Sequence, residues 1–192
     1  MNQTNIANLR CPWGQTRDEI IQEFHDHEWG KLKLDDNYLY EMLVLQLFQS
    51  GRNWRVILHK RENFRKAFKD FDPVKVAALT DKEINDMCND SSIIRNRRKI
   101  EAAVKNAKSV IIVSAKYGSF AKYLQNIIPV QIVHDPEIYE DVPYSSDLST
   151  KLSLQMKADG FFFVGPIVIY SYLQSIGLIN DHIECCPFKY EG

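Results

Sequence analysis

The chain lacks any stretch of ~18 uninterrupted apolar residues, so no segment is fit to cross a bilayer as a helix. Its first ten residues, MNQTNIANLR, lack the apolar run of a secretory leader, which makes the cytoplasm the expected compartment. It has no CxxC pair, and its four cysteines are expected as thiols rather than disulfides in that reducing setting. No Gly-rich phosphate loop of the dinucleotide or P-loop type occurs, nor a GxSxG elbow. A nucleotide cofactor and a serine hydrolase of those kinds are thereby excluded. No run alternates apolar and polar residues with period two, and no long repeat is present, so neither a sheet nor a solenoid is expected.

What is present suits one soluble domain of residues 1–192, with 45% apolar and 26% charged residues. The net charge of -1 hides an asymmetry. Between Arg52 and Lys69 seven basic side chains face Glu62 alone, and Arg95, Arg97, Arg98, Lys99, Lys105 and Lys108 face only Glu101. Asp135, Glu137, Glu140, Asp141 and Asp147 cluster elsewhere, so a basic face is expected despite the balance.

Helix signals fill most of the chain, and the expected fold class is all-α. Thr16 and Glu19 form a capping-box pattern for a helix over Asp18 to His27. Asp35 or Asp36 caps a second helix, apolar around most of its circumference and therefore central, which stops at Gly51. Asn53 opens a third, running on through Phe64, Ala67 and Phe68. Asp72-Pro73 and Thr80 with Glu83 start two more, and a long helix is expected from Arg95 to Lys116, closed by Gly118. Residues 127–145 read as a surface loop. Ser146 or Asp147 starts a helix to Ala158, GFFFVGP at Gly160–Pro166 is a tight hairpin into another, and Asn180 or Asp181 opens a last helical turn.

Three constellations carry possible chemistry. Cys11 and His25 stand near the start, and His182 and Cys186 near the end, four apart on that last turn, with Cys185 competing for the same role. Two thiolates and two imidazoles make a closed tetrahedral set suited to structural Zn²⁺; buried thiols with incidental histidines are the plainer alternative. Trp13, Phe24, Trp29 and Trp54 surround a polar Gln46 on the apolar helix, a pattern that suits a flat aromatic ligand as well as an ordinary core. The hairpin presents backbone N–H groups at a helix start, with the basic tracts adding reach toward phosphates. Asp26, Glu28, Asp35 and Asp36 invite an acid–base reading, but carboxylates at helix ends are caps more often.

RCPWG at Arg10–Gly14, HDHEWG at His25–Gly30, LFQSG with Trp54, KRENFRKAFKDFDPVKVAAL at Lys60–Leu79, IIRNRRKI at Ile93–Ile100, GFFFVGP and NDH at Asn180–His182 resemble the DNA-3-methyladenine glycosylase I family in order and spacing. The resemblance covers nearly the whole chain. It implies the helix-hairpin-helix glycosylase fold, with Gly160, Val164 and Gly165 docking double-stranded DNA and Arg95, Arg97 and Arg98 assisting. It also implies base-excision repair, in which an alkylated purine, chiefly 3-methyladenine, is flipped out and its N-glycosidic bond hydrolysed. The family's zinc ligands fall on Cys11, His25, His182 and Cys186, and its stacking tryptophan on Trp54.

The base site departs from the family. Phe24 stands for its usual tyrosine, Gln46 for its base-recognising glutamate, and Arg52-Asn53 for its Leu-Ser. Trp54 and Phe24 are expected to sandwich the base, Gln46 to hold its edge at the catalytic position, and Trp13 and Trp29 to shape the pocket. The expectation is a monomeric hydrolase with no redox or nucleotide cofactor, its rate reduced by the neutral Gln46. A damaged-base binder that does not cleave is the alternative, and a zinc-stabilised helical protein without a nucleic-acid role is the third.

Overall fold

The computed structural model describes residues 9–190, so most of the opening MNQTNIANLR segment and the outer limits of the expected domain lie outside the described residues. Helix α1, Glu19–His27, follows Asp18, whose carboxylate is taken by His59 at 2.8 Å and Arg55 at 3.0 Å. The expected capping box does not form, because the Thr16 hydroxyl instead accepts from the Asp18 N–H at 3.2 Å and from Arg55 at 3.0 Å. Helix α2, Asp36–Gln49, is capped by Asp35, which accepts from the Tyr38 N–H, and every residue from Leu39 to Phe48 is buried. It is the axis of the molecule. Asp36 works elsewhere: its two oxygens accept from Phe120 and Ala121 N–H at 3.0 and 2.9 Å, capping a distant helix through space.

Asn53 caps α3, Trp54–His59, which breaks at Lys60 instead of running on to Phe68; α4, Arg61–Ala67, starts anew. Asp72 and the Thr80–Glu83 capping box start α5, Pro73–Ala77, and α6, Asp81–Asn89, as expected. Helix α7, Arg97–Tyr117, is capped by Asn96 and stopped by Gly118 at φ 98°, which leaves Arg95 outside the helix. Helix α8, Phe120–Gln125, receives the Asp36 cap described above.

The stretch expected as a loop contains β1, Ile132–Val133, in parallel register with β2, Ile179–Asn180 (Ile132 opposite Ile179). Two residues per strand are too few for an alternation signal. Helices α9, Asp147–Ala158, and α10, Pro166–Ser175, pack together and bring the C-terminal segment onto α2. The last helical turn is not formed: Asn180 lies in β2, and only a tight turn at Pro187–Lys189 is helical. Among the described residues no helix is long and apolar enough to cross a membrane.

Lys60, Arg61 and Arg65 of the first basic tract turn partly inward, while Arg52, Arg55, Lys66 and Lys69 stay exposed, so only part of it reads as a free cationic face. Arg61, its side chain only 12% exposed, donates to Glu28 at 2.6 and 2.9 Å and to Glu41 at 2.8 Å, and Arg65 reaches Glu41 at 2.7 Å. Lys60 donates to the carbonyls of Ser91 and Ser92. The break at Lys60 turns Arg61 toward α2, where Glu41 lies on a helix with almost no water contact and requires a cation.

Arg61→Ala leaves Glu28 and Glu41 short of charge partners and is expected to lower the unfolding free energy by about 3 kcal/mol, measured by urea denaturation. Burial raises the Glu28 carboxyl and its bonds from Arg61 more than reverse this, leaving its pKa lowered. The contribution of Glu28 is therefore complete above about pH 4.3, the unfolded value, and is lost as pH falls through the folded pKa. The stability gap between the native chain and Arg61→Ala should narrow in acid, checked by repeating the denaturation at about pH 3.

Candidate functional site

A cavity of about 210 Å³ opens between α1, α2, α3 and α10. Trp13, Phe24, Trp29, Gln46 and Trp54 all line it, so the structure brings together every residue expected around a flat ligand. All three tryptophans of the chain are among them. Trp13 meets Trp29 edge-on, with centroids 5.0 Å apart and planes at 84°. Phe24 and Trp54 are 5.2 Å apart at 65°, and this corrects the expected sandwich. A base held between two facing rings needs them about 7 Å apart, twice a van der Waals contact. Phe24 and Trp54 touch each other and form a corner, against which one face and one edge of a ring fit.

Two of its lining residues carry a buried polar atom with no partner among the described residues: Gln46 Oε1 and Trp13 Nε1. Gln46 is 4% exposed, and its Nε2 donates to Ser175 Oγ at 2.8 Å. Ser175 Oγ in turn donates to the Ser171 carbonyl at 2.8 Å. An unpaired buried donor or acceptor costs about 1–3 kcal/mol, and a polar ligand that reached both atoms would relieve that cost. Among the described residues no carboxylate lines it.

Sequence reasoning missed the α10 wall, Ser171, Gln174 and Ser175. Its signal was three polar residues at i, i+3 and i+4 on an otherwise apolar helix, the spacing that puts them on one face. Gln174 also donates to Asp181 at 2.7 Å, as does the Tyr170 hydroxyl at 2.8 Å, and His134 lies 2.6 Å from that buried carboxylate. The NDH motif thus contributes a hub behind the pocket wall as well as a histidine.

Arg52 does not line the cavity. It is exposed on the loop joining α2 to α3, between the lining residues Gln49 and Trp54, so it adds positive charge beside the cavity without lining it. Lys99 anchors this loop by donating to the Phe48 and Ser50 carbonyls at 3.1 and 2.6 Å. Burial, and then the charge of Arg52, lower its pKa. The start of α7 therefore abuts the mouth, carrying exposed Arg97 and Arg98 with exposed Arg95 just before it, though Arg97 is engaged by Glu101 and Asn85.

In the hairpin, Gly160 takes φ 87°, Val164 is buried and Gly165 caps α10 without a side chain. Val164 is held by its carbonyl, which accepts from Ser153 at 2.5 Å, and Asn106 clasps the Phe162 backbone, accepting at 2.7 Å and donating at 3.1 Å. The exposed tip is Phe162 and Phe163, with Lys105 lying 5.0 Å over the Phe162 ring.

Cys11, His25, His182 and Cys186 are all buried, and their donor atoms lie within 4.8 Å of one another. His182 Nδ1 is 3.5 Å from Cys11 Sγ and 3.3 Å from Cys186 Sγ, and His25 Nε2 is 3.9 Å from Cys186 Sγ. Metal–donor bonds of about 2.0–2.3 Å give tetrahedral edges of about 3.3–3.8 Å, so the donor set fits a four-coordinate ion. The outer ring nitrogens are fixed as such a site requires: His25 Nδ1 is 2.7 Å from Asp26, and His182 Nε2 is 3.0 Å from the Trp29 carbonyl. Arg10 holds Asp26 in turn through bonds of 2.9 Å. Hydrogen bonding from the Cys11 thiol, with His182 and His25 adding to it, holds Cys186 well below the usual thiol range and raises Cys11. Cys185 is exposed, which resolves the choice between neighbours in favour of Cys186.

The chain matches the methyladenine glycosylase family over residues 13–190. It is 38% identical over 181 residues to the DNA-3-methyladenine glycosylase of Haemophilus influenzae, covering 94% of this chain and 97% of that one. It is similar, at TM-score 0.90 and 34% identity, to a tyrosine-to-phenylalanine variant of 3-methyladenine DNA glycosylase I in complex with 3-methyladenine, over 93% of this chain and 97% of that one. A glutamate-to-glutamine variant of the Staphylococcus aureus 3-methyladenine DNA glycosylase I is similar at TM-score 0.88 and 34% identity, over 92% of this chain and 96% of that one.

Iodoacetamide is expected to alkylate Cys185 in the native protein, and Cys11 and Cys186 only after unfolding, as peptide mass mapping would reveal.

Proposed function

The chain belongs to the methyladenine glycosylase family, and from that premise we propose that it excises 3-methyladenine from double-stranded DNA by hydrolysing the N-glycosidic bond. The observation that carries this reading is the cavity: a slot walled by all the chain's tryptophans, with one unpaired acceptor and one unpaired donor. Those are the partners an adenine edge requires. 3-Methyladenine in DNA is a cation with an already weakened bond to its sugar, so selective holding of the extruded base does most of the work. Trp54 and Phe24 provide the stacking corner, Gln46 holds the edge, and Trp13 and Trp29 close the slot. A water oxygen bonds to the anomeric carbon, the electron pair of the broken bond leaves with the base and neutralises it, and the water's second proton passes to solvent.

Support for Gln46 and Phe24 at the base comes from the two solved variants. As numbered, their substituted positions differ by 22, the interval from Phe24 to Gln46, and the exchanges are the same two. This chain carries naturally what was introduced there one residue at a time. The helix-hairpin-helix assignment gives Gly160, Val164 and Gly165 the duplex backbone, with Arg95, Arg97, Arg98 and Arg52 as phosphate contacts at the mouth. The clustered cysteines and histidines hold structural Zn²⁺ in this reading, a cross-link between the chain's ends with no part in bond cleavage. The protein acts as one domain and as a monomer in the cytoplasm.

The purified protein is expected to release free 3-methyladenine from duplex DNA treated with a methylating agent, followed by chromatography of the liberated base. Restoring charge with Gln46→Glu should raise kcat/KM about tenfold, since a charge-assisted bond exceeds a neutral one by about 1–2 kcal/mol. No release by the native chain at high concentration, with release restored in Gln46→Glu, would instead identify a binder of damaged bases that does not cleave them. Elemental analysis should find one zinc per chain, lost together with thermal stability in Cys186→Ala.

A further inference from the structure

Gln46 raises a problem that a carboxylate in its place would not. A carboxylate offers only acceptors however it turns, whereas an amide offers an acceptor on one side and a donor on the other. A freely rotating Gln46 would accept an adenine edge with its oxygen and a guanine edge with its nitrogen. The neutral pocket would then lose discrimination as well as charge.

The α10 wall removes that freedom. Ser175 Oγ is 2.8 Å from both Gln46 Nε2 and the Ser171 carbonyl oxygen. A carbonyl only accepts, so the single hydroxyl proton of Ser175 is committed to Ser171. The hydroxyl oxygen can then only receive a proton from Gln46, and the amide nitrogen must be the atom that faces it. The amide oxygen is left on the opposite side, buried and without a partner among the described residues, on a side chain that lines the cavity. Gln46 is 4% exposed and Ser175 1%, so water does not compete for these bonds.

We infer that Ser175 is a specificity-determining positioning residue: with Ser171 it locks Gln46 oxygen-first, so that the site takes 6-aminopurines and rejects 6-oxopurines. This rests on the base-binding reading of the cavity and deepens it. Adenine-type bases present an exocyclic amine donor beside the N7 acceptor, whereas guanine-type bases present O6 and N7, two acceptors. The first pattern complements Gln46 Oε1 and Trp13 Nε1, the two unpaired atoms of the cavity. The second sets oxygen against oxygen at Gln46. The relay gives an amide the acceptor-only face of the glutamate it replaces.

The test is binding of the free bases 3-methyladenine and 3-methylguanine, followed by quenching of intrinsic fluorescence, since every tryptophan lines the cavity. The native chain should prefer 3-methyladenine on the order of a hundredfold or more. Ser175→Ala frees the amide and should bring the two affinities within about tenfold, chiefly by tighter binding of 3-methylguanine. In the Gln46→Glu background the same Ser175→Ala change should leave the preference intact, because a carboxylate has no donor side. A native preference that Ser175→Ala leaves unchanged, or an equal weakening of both bases, would overturn the relay alone. Failure of the native chain to bind either base would overturn the reading of the cavity, and the relay with it.

Discussion

Helix α2 has almost no solvent face, and each polar group along its buried run has to find a partner inside the protein. Tyr40 donates to the Ala103 carbonyl on α7, Glu41 receives Arg61 and Arg65, and Gln46 donates to Ser175 on α10. These obligations fix which elements surround α2 and at what depth. Arginines that a surface helix would leave in water are drawn inward, and the chain breaks at Lys60 as it turns to deliver them. One obligation stays open, at Gln46 Oε1, and the ligand cavity is there. Where a fully buried helix leaves an acceptor unmatched, a partner from outside is implied.

The cysteine–histidine cluster and the cavity share their walls, which ties the stability of the chain's ends to the shape of the slot. On α1, Phe24 faces the cavity while its neighbour His25 faces the cluster. The carbonyl of Trp29 accepts from His182, and the Trp13 ring stands edge-on to His25 with centroids 4.8 Å apart. Three of the five aromatic residues lining the cavity are thus held by residues that also orient, or belong to, the cluster. Loosening it would tilt Trp13 and Trp29 before it disturbed α2. A closed site remote from bond cleavage can still govern binding by this route.

Local chemistry was legible in the sequence, and pairing across distance was not. The caps at Asp35, Asn53, Asp72 and Thr80, the buried character of α2, and the cysteine–histidine set with its Cys185 ambiguity all follow from spacing over a few residues. The structure keeps them. Asp36 reads as a cap, but nothing local reveals that it serves α8, more than eighty residues away. Arg61 and Arg65 read as surface charge because their carboxylates, Glu28 and Glu41, lie on other elements. The two-residue strands are too short for periodicity, and they carry Asn180 and Asp181 out of the helical turn that their sequence suggests. Phe24 and Trp54 were identified correctly as pocket walls, but the angle between two rings is a tertiary property.

The neutral Gln46 also has a physical rationale in the unliganded protein. A carboxylate at this position would sit 4% exposed among aromatic rings, facing a Ser175 hydroxyl whose proton is engaged by the Ser171 carbonyl, with the exposed Arg52 outside the cavity lining. Burial of an ion so poorly matched destabilises the folded state, and sites that tolerate it do so for the sake of the bound complex. The amide removes that penalty while the Ser171–Ser175 relay preserves the direction of the acceptor. What is given up is the long-range attraction for a cationic base, and the exposed Arg52 at the rim, which attracts phosphates, does not replace it. The chain therefore relies on hydrogen-bond direction and ring contacts where a carboxylate would add charge, and its selectivity depends on how firmly α10 holds one side-chain amide.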